Sequence, residues 1–171
     1  KKNIFVEKPL ALTIDEIDEI DEAYQKANRN NNLRLMVGFN RRYAPHIIKM
    51  KDLIGSHRSP KSIIMTINAG DISNDHWVQN KAIGGGRIIG EVCHFIDLLR
   101  FLANNSIENW SRATMDASTE DTVTINLKFM DGSIGTIHYF ANGTKNYPKE
   151  RLEVFASGRI LKLDNYRSLV G

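Results

Sequence analysis

The chain has 171 residues, 42% of them hydrophobic and 25% charged, with both signs interspersed and a formal net charge of +3. That length allows one good core, or one domain and a piece of another. The charge is too small to imply nucleic acid, and the basic residues do not cluster around stacking aromatics.

No run approaches the ~18 apolar residues of a membrane helix and no signal-peptide pattern opens the chain, so no membrane partner is expected. The single cysteine, Cys93, excludes an internal disulfide framework and fits a reducing, cytoplasmic setting. Because the chain opens on Lys1 rather than Met, inside what reads as a strand, a longer protein is expected.

Asn3 to Val6 is a short apolar run ending at Glu7-Lys8-Pro9. Proline cannot donate to a ladder and biases its predecessor away from helix, so the strand stops there. The Lys8–Pro9 bond is a candidate for the cis form, which would aim the lysine sharply, although cis is the minority outcome. Lys8 reads either as a surface lysine before a turn or, if desolvated, as a proton donor or electrostatic clamp beside a ligand.

Thr13 and Glu16 have capping-box spacing, with Leu12 and Ile17 at the staple positions. The helix that follows is expected to bury Ile14, Ile17, Ile20, Tyr24 and Ala27. Its acidic first turns read as a solvated face matched to the helix dipole. After the polar loop 28–32, Leu33 to Phe39 reads as a buried strand. Strand, helix, strand is a βαβ unit, whose ligands sit at the carboxyl ends of the strands: here Glu7-Lys8-Pro9 and Asn40-Arg41-Arg42.

Pro45 to Ile54 reads as a helix ended by Gly55, and Lys61 to Asn68 alternates as a strand. The stretch 69–83 lacks periodicity and carries Asp71, Asp75, His76 and Trp77; a loop of that length is more often functional than idle. In GGGRIIGEVCHFIDLLRFL, residues 84–102, apolar positions Ile88, Val92, Phe95, Ile96, Leu99 and Leu102 recur at helical steps. At roughly 100° per residue Arg87, Glu91, His94 and Asp97 share one stripe, with Gly90 among them. That stripe reads either as a partly exposed helix face or as a site, with carboxylates raising the imidazole pKa toward what a general acid or base needs.

Thr122 to Phe129 and Ile134 to Phe140 flank Asp131-Gly132, a hairpin signal. A two-residue turn would pair Phe129 with Ile134, Leu127 with Thr136, Ile125 with His138 and Val123 with Phe140, leaving Thr124, Asn126, Ile137 and Tyr139 on the other face. Leu152 to Phe155 and Ile160 to Leu163 read as a second hairpin. Such a sheet usually carries helices on one face and a partner on the other.

Competing chemistries fit poorly. Cys93 and His94 point about 100° apart on a helix, which argues against a nucleophile pair. One cysteine and scattered histidines give no zinc spacing, and His46 and His57 suggest no role. Gly84, Gly86 and Gly90 are one residue too long for G-x-G-x-x-G, and a Walker lysine is missing.

Glu7-Lys8-Pro9-Leu10-Ala11, the segment Val37 to Pro45 and the GGG…H-x-x-D run from Gly84 to Asp97 together resemble the Gfo/Idh/MocA family of NAD(P)-dependent oxidoreductases. The resemblance implies an α/β (α+β) fold: the end of a Rossmann βαβ unit (1–40), then an open, mainly antiparallel sheet with helices on one face (41–171), serving substrate and homo-oligomer. It implies NAD or NADP as cofactor, with hydride exchanged with a sugar, cyclitol or related polyol. Lys8, His94 and Glu91 are the implied catalytic residues; Glu7, Lys8, Pro9 and Asn40 would meet the cofactor; and Arg42, Asp75, His76, Trp77 and Arg87 the substrate. Many members carry aspartate where this chain has Gly90, and Glu91 is the candidate replacement. The glycine-rich fingerprint is absent, so the fragment alone is expected to bind dinucleotide poorly and to be inactive. Two alternatives stay open: a non-catalytic assembly module, and a redox-neutral NAD-using glycosidase.

Overall fold

The computed structural model describes residues 2–55 and 59–171, so His57 lies outside the described residues. Strand β1 (Ile4–Val6) pairs in parallel with β2 (Leu35–Val37), and helix α1 (Ile14–Asn28) connects them. Thr13 caps α1 in a full capping box, its hydroxyl accepting from the Glu16 amide while the Glu16 carboxylate accepts from the Thr13 amide. The stripe expected to be buried is not: Ile14 is 70% exposed and Ile17 40%, and no residue of α1 is fully buried. The two three-residue strands are too small a surface to cover a helix of fifteen.

Helix α2 (Pro45–Ile54) begins on proline at its first turn and ends at Gly55, as expected. Strands β3 (Ser62–Asn68), β4 (Ile107–Thr114), β5 (Val123–Phe129), β6 (Ile134–Phe140), β7 (Glu150–Ala156), β8 (Arg159–Asp164) and β9 (Ser168–Val170) form one sheet in the order β4-β5-β6-β3-β7-β8-β9. Its pairings are antiparallel except that of β3 with β6. Helix α3 (Cys93–Ala103) and α2 bury Phe95, Leu98, Leu99 and Leu102, with Ile47, Met50 and Ile54, against Ile63, Met65, Ile125, Phe129, Ile137, Tyr139, Leu152 and Val154 of the sheet. Lys51 and Lys61 donate to the last carbonyls of α3, where cations suit the helix dipole.

The first hairpin departs from the expected register by one residue. Val123 pairs with Tyr139, Ile125 with Ile137 and Leu127 with Gly135, because the loop holds three residues, closed by Gly132 at φ +86°. A slip of one residue swaps faces. Ile137 and Tyr139 are therefore core, while His138 lies on the open face beside the Thr124 hydroxyl at 3.1 Å. No helix among the described residues is long and apolar enough to cross a membrane.

Candidate active site

The helix predicted from the glycines onward is not uniform. Ile88–Val92 widens into a π-helical turn before α3 begins at Cys93, an irregularity common at functional sites. Gly84 permits the approach to it: a methyl there would lie 2.6 Å from Val78 Cα and 2.8 Å from its carbonyl oxygen. The 3-10 turn Trp77–Gln79 is thereby held against the helix entry.

A cleft of about 440 Å³ opens where these pieces meet, lined by Lys8, Pro9, Arg41, His76, Trp77, Arg87, Gly90, Glu91 and His94 among others. Lys8, on the cis Lys8–Pro9 bond, donates to the Gly90 carbonyl at 2.5 Å. The strand end and the π turn, 82 residues apart in sequence, are thus joined. His94 is 5% exposed and sits edge-on to Phe39 at 6.1 Å. Its Nδ1 is buried and has no hydrogen-bond partner among the described residues.

Carboxylates were expected to raise the His94 pKa; it is instead lowered to about 4. Burial disfavours the imidazolium, and the charges of Arg41, Lys8 and Lys149 add to that, outweighing Glu91. Asp97 does not help, because the stripe divides: Arg87, Glu91 and His94 line the cleft while Asp97 is taken by Arg42 in a bidentate pair. Glu91 is held by the Tyr139 hydroxyl and by Lys149 Nζ at 2.6 Å. Burial would push Glu91 up, but those two hydrogen bonds and the Lys149 and Arg87 charges hold it below the usual carboxylate range. Burial pushes the Cys93 thiol up.

The cleft brings Lys8, Pro9, His76, Trp77, Arg87, Glu91 and His94 together. It does not include Glu7, Asn40, Arg42 or Asp75. Glu7 is exposed, with its carboxylate against Gly38, and Asn40 and Asp75 are exposed. Arg42, expected at the pocket, stacks over Phe101 and pairs with Asp97. Arg87 is buried and committed: it donates to the Gly70 carbonyl at 2.7 Å and the Ala69 carbonyl at 3.1 Å, and pairs with Asp121 at 3.3 Å. It braces the 69–83 segment.

Of the adjacent pair, Arg41 rather than Arg42 lines the cleft, clamped by Glu150 at 2.6 and 3.1 Å and lying over Phe95. In the short 3-10 turn Asn40–Tyr43, successive side chains point about 120° apart, so only one of two adjacent arginines can face one cavity. Lys149 and Tyr139 also escaped sequence reasoning, since both reach Glu91 from positions remote in sequence, Tyr139 on β6 and Lys149 just before β7.

The profile of the GFO/IDH/MocA C-terminal domain matches residues 49–161. The chain belongs to this family. Among GFO/IDH/MocA relatives, myo-inositol 2-dehydrogenase of Thermotoga maritima is 27% identical over 98% of this chain and 51% of its own length. Inositol 2-dehydrogenase of Rhizobium meliloti is 28% identical over 97% of this chain and 51% of its own. The crystal structure of an oxidoreductase domain protein from Kribbella flavida superposes with a TM-score of 0.82 over 98% of this chain and 51% of that one, at 23% identity, a likeness of fold. The chain thus spans about half the length of the curated relatives it matches.

Proposed function

We propose that this chain is the substrate-side part of an NAD(P)-dependent oxidoreductase acting on a cyclitol, sugar or related polyol, with residues 1–40 the tail of a dinucleotide-binding domain and 41–171 the substrate and oligomerisation domain. The observation that carries this reading is the convergence of Lys8 and His94 on one cleft. The inositol dehydrogenases among its relatives support the substrate class.

The cleft fits the nicotinamide end of a cofactor: it lies at the carboxyl end of β1, is walled by Lys8 and Pro9, and holds a buried imidazole with an orphaned nitrogen. Glu7 and Asn40, at the two strand ends, would meet the cofactor outside the cleft. No strand, glycine loop and helix among the described residues is arranged for the diphosphate. Bound nicotinamide would supply the hydride acceptor or donor.

The chain's own residues supply position and proton. His94 is uncharged at neutral pH, so the lone pair of its unprotonated ring nitrogen is available to accept the proton of a substrate hydroxyl as the alcohol is oxidised. Lys8 places a fixed ammonium beside that oxygen, where it favours developing negative charge. Glu91, anionic and doubly held, favours the imidazolium that proton transfer creates. The 3-10 turn bearing Trp77, with His76, forms a wall of the substrate side. The open sheet face exposes Ile64, Ile134, Phe155 and Ile160, which supports a second copy as its cover.

In the complete protein, assayed with NAD+ and NADP+ against a panel of cyclitols and sugars, His94→Ala and Lys8→Met should each lower kcat by roughly 100-fold or more with the fold retained. Turnover at the parental rate in both variants would overturn the reading. Turnover without net NADH formation would point to the redox-neutral alternative.

A further inference from the structure

Two consecutive residues where the chain enters β7, Lys149 and Glu150, each hold a charge of the cleft. Lys149 Nζ donates to Glu91 Oε1 at 2.6 Å, and the Glu150 carboxylate accepts Arg41 Nη2 at 2.6 Å and Nε at 3.1 Å. Their backbone is pinned from two sides. The Asn68 amide donates to the Lys149 carbonyl at 2.8 Å and the Asn165 amide to the Glu150 carbonyl at 2.7 Å, tying the dipeptide to the end of β3 and to the β8–β9 connection. The Glu150–Arg41 pair is largely buried, with Glu150 7% exposed, while Lys149 is about half exposed and reaches a Glu91 whose second oxygen is already held by buried Tyr139.

We infer that Lys149 is a positioning residue for the His94 imidazole, acting with Glu150 as a clamp that holds Glu91 and Arg41, two opposite charges that line the cleft with the proton-transfer group. The charged and titratable groups around His94 come from every element that meets there. They are Lys8 from the end of β1, Arg41 from the turn after β2, His76 from the 69–83 segment, Arg87 and Glu91 from the helix entry, all lining the cleft, and Lys149, which reaches Glu91 from the chain entering β7. Lys149 disfavours the imidazolium directly, and it also engages Glu91, the one anion of the set that favours it. Losing Lys149 therefore acts twice in the same direction. A nearby cation disappears, and among the described residues Glu91 keeps only one cationic partner, Arg87 at 3.7 Å.

The inference deepens the proton-transfer reading and takes its functional meaning from it, but its test does not depend on turnover. In the full chain, the His94 ring is titrated by NMR in the parent, Lys149→Met, Lys149→Arg, and Lys149→Met in a Glu91→Gln background. Lys149→Met should raise the His94 midpoint by about half a pH unit or more. Lys149→Arg, which keeps the charge, should titrate as the parent does. In the Glu91→Gln background the Lys149→Met shift should shrink, because only the direct effect remains. A Lys149→Met midpoint equal to the parent's overturns the clamp, as does an arginine variant that shifts as far as methionine or a shift undiminished without Glu91. Because Lys149 is about half exposed, the methionine variant should fold, and the arginine variant controls for structure. A shifted midpoint in a protein with no dehydrogenase activity would retire the proposed function and keep the clamp.

Discussion

A buried neutral histidine makes stability depend on pH in a direction that can be worked out. His94 has a folded pKa of about 4 against an ordinary value of 6.5. Between those values the unfolded chain binds a proton that the folded chain refuses, so stability rises with pH across the window and is complete above about 6.5. At 1.36 kcal/mol per pH unit, a gap of about 2.5 units corresponds to roughly 3 kcal/mol lost as the pH falls from about 6.5 to about 4. His94→Gln removes the titration while keeping a polar side chain of similar reach. Urea unfolding of both proteins from pH 7.5 to 4 isolates this contribution, since every other titrating group is shared. The parent curve should fall away from the variant's by about 3 kcal/mol, with most of the divergence between pH 6 and 4.5. Parallel curves, or a divergence that grows as the pH rises above 7, would refute the assignment of a neutral, desolvated imidazole.

Two further predictions concern the scaffold. Asp97→Asn breaks the bidentate pair that ties the Asn40–Tyr43 turn to α3 and should cost about 1–3 kcal/mol in urea unfolding, while leaving the His94 NMR midpoint in place because Asp97 faces away from the cleft. Gly135→Ala puts a methyl 2.8 Å from Leu99 Cδ2 and 3.3 Å from Phe129 Cε2, in a fully buried layer, and should lower stability by about 1–3 kcal/mol. A neutral effect of that alanine in thermal unfolding would mean that α3 sits further from β6 than the structure has it.

Local signals carried well where they depended on neighbours in sequence. The Thr13 and Glu16 capping box, the α2 boundaries at Pro45 and Gly55, the alternation of β3 and the hairpin around Ser157-Gly158 are each written in a few adjacent residues, and each stands in the structure. The EKP and GGG…H-x-x-D motifs likewise pointed to Lys8 and His94 as occupants of one cleft. What failed were inferences that assumed uniform geometry. One extra hairpin residue turned Ile137 and Tyr139 inward, and the division of the polar stripe sent Asp97 to Arg42.

By itself, then, the sequence determined several of the helices and strands, though not β4 or β9, and where some of them stop, because capping, periodicity and turn preference act over a few residues. Tertiary structure alone decided the electrical state of the site. Arg41, Lys149 and Tyr139 arrive from three separate elements, and whether an imidazole is charged depends on burial and on every charge within a few ångströms, which spacing along a chain does not encode.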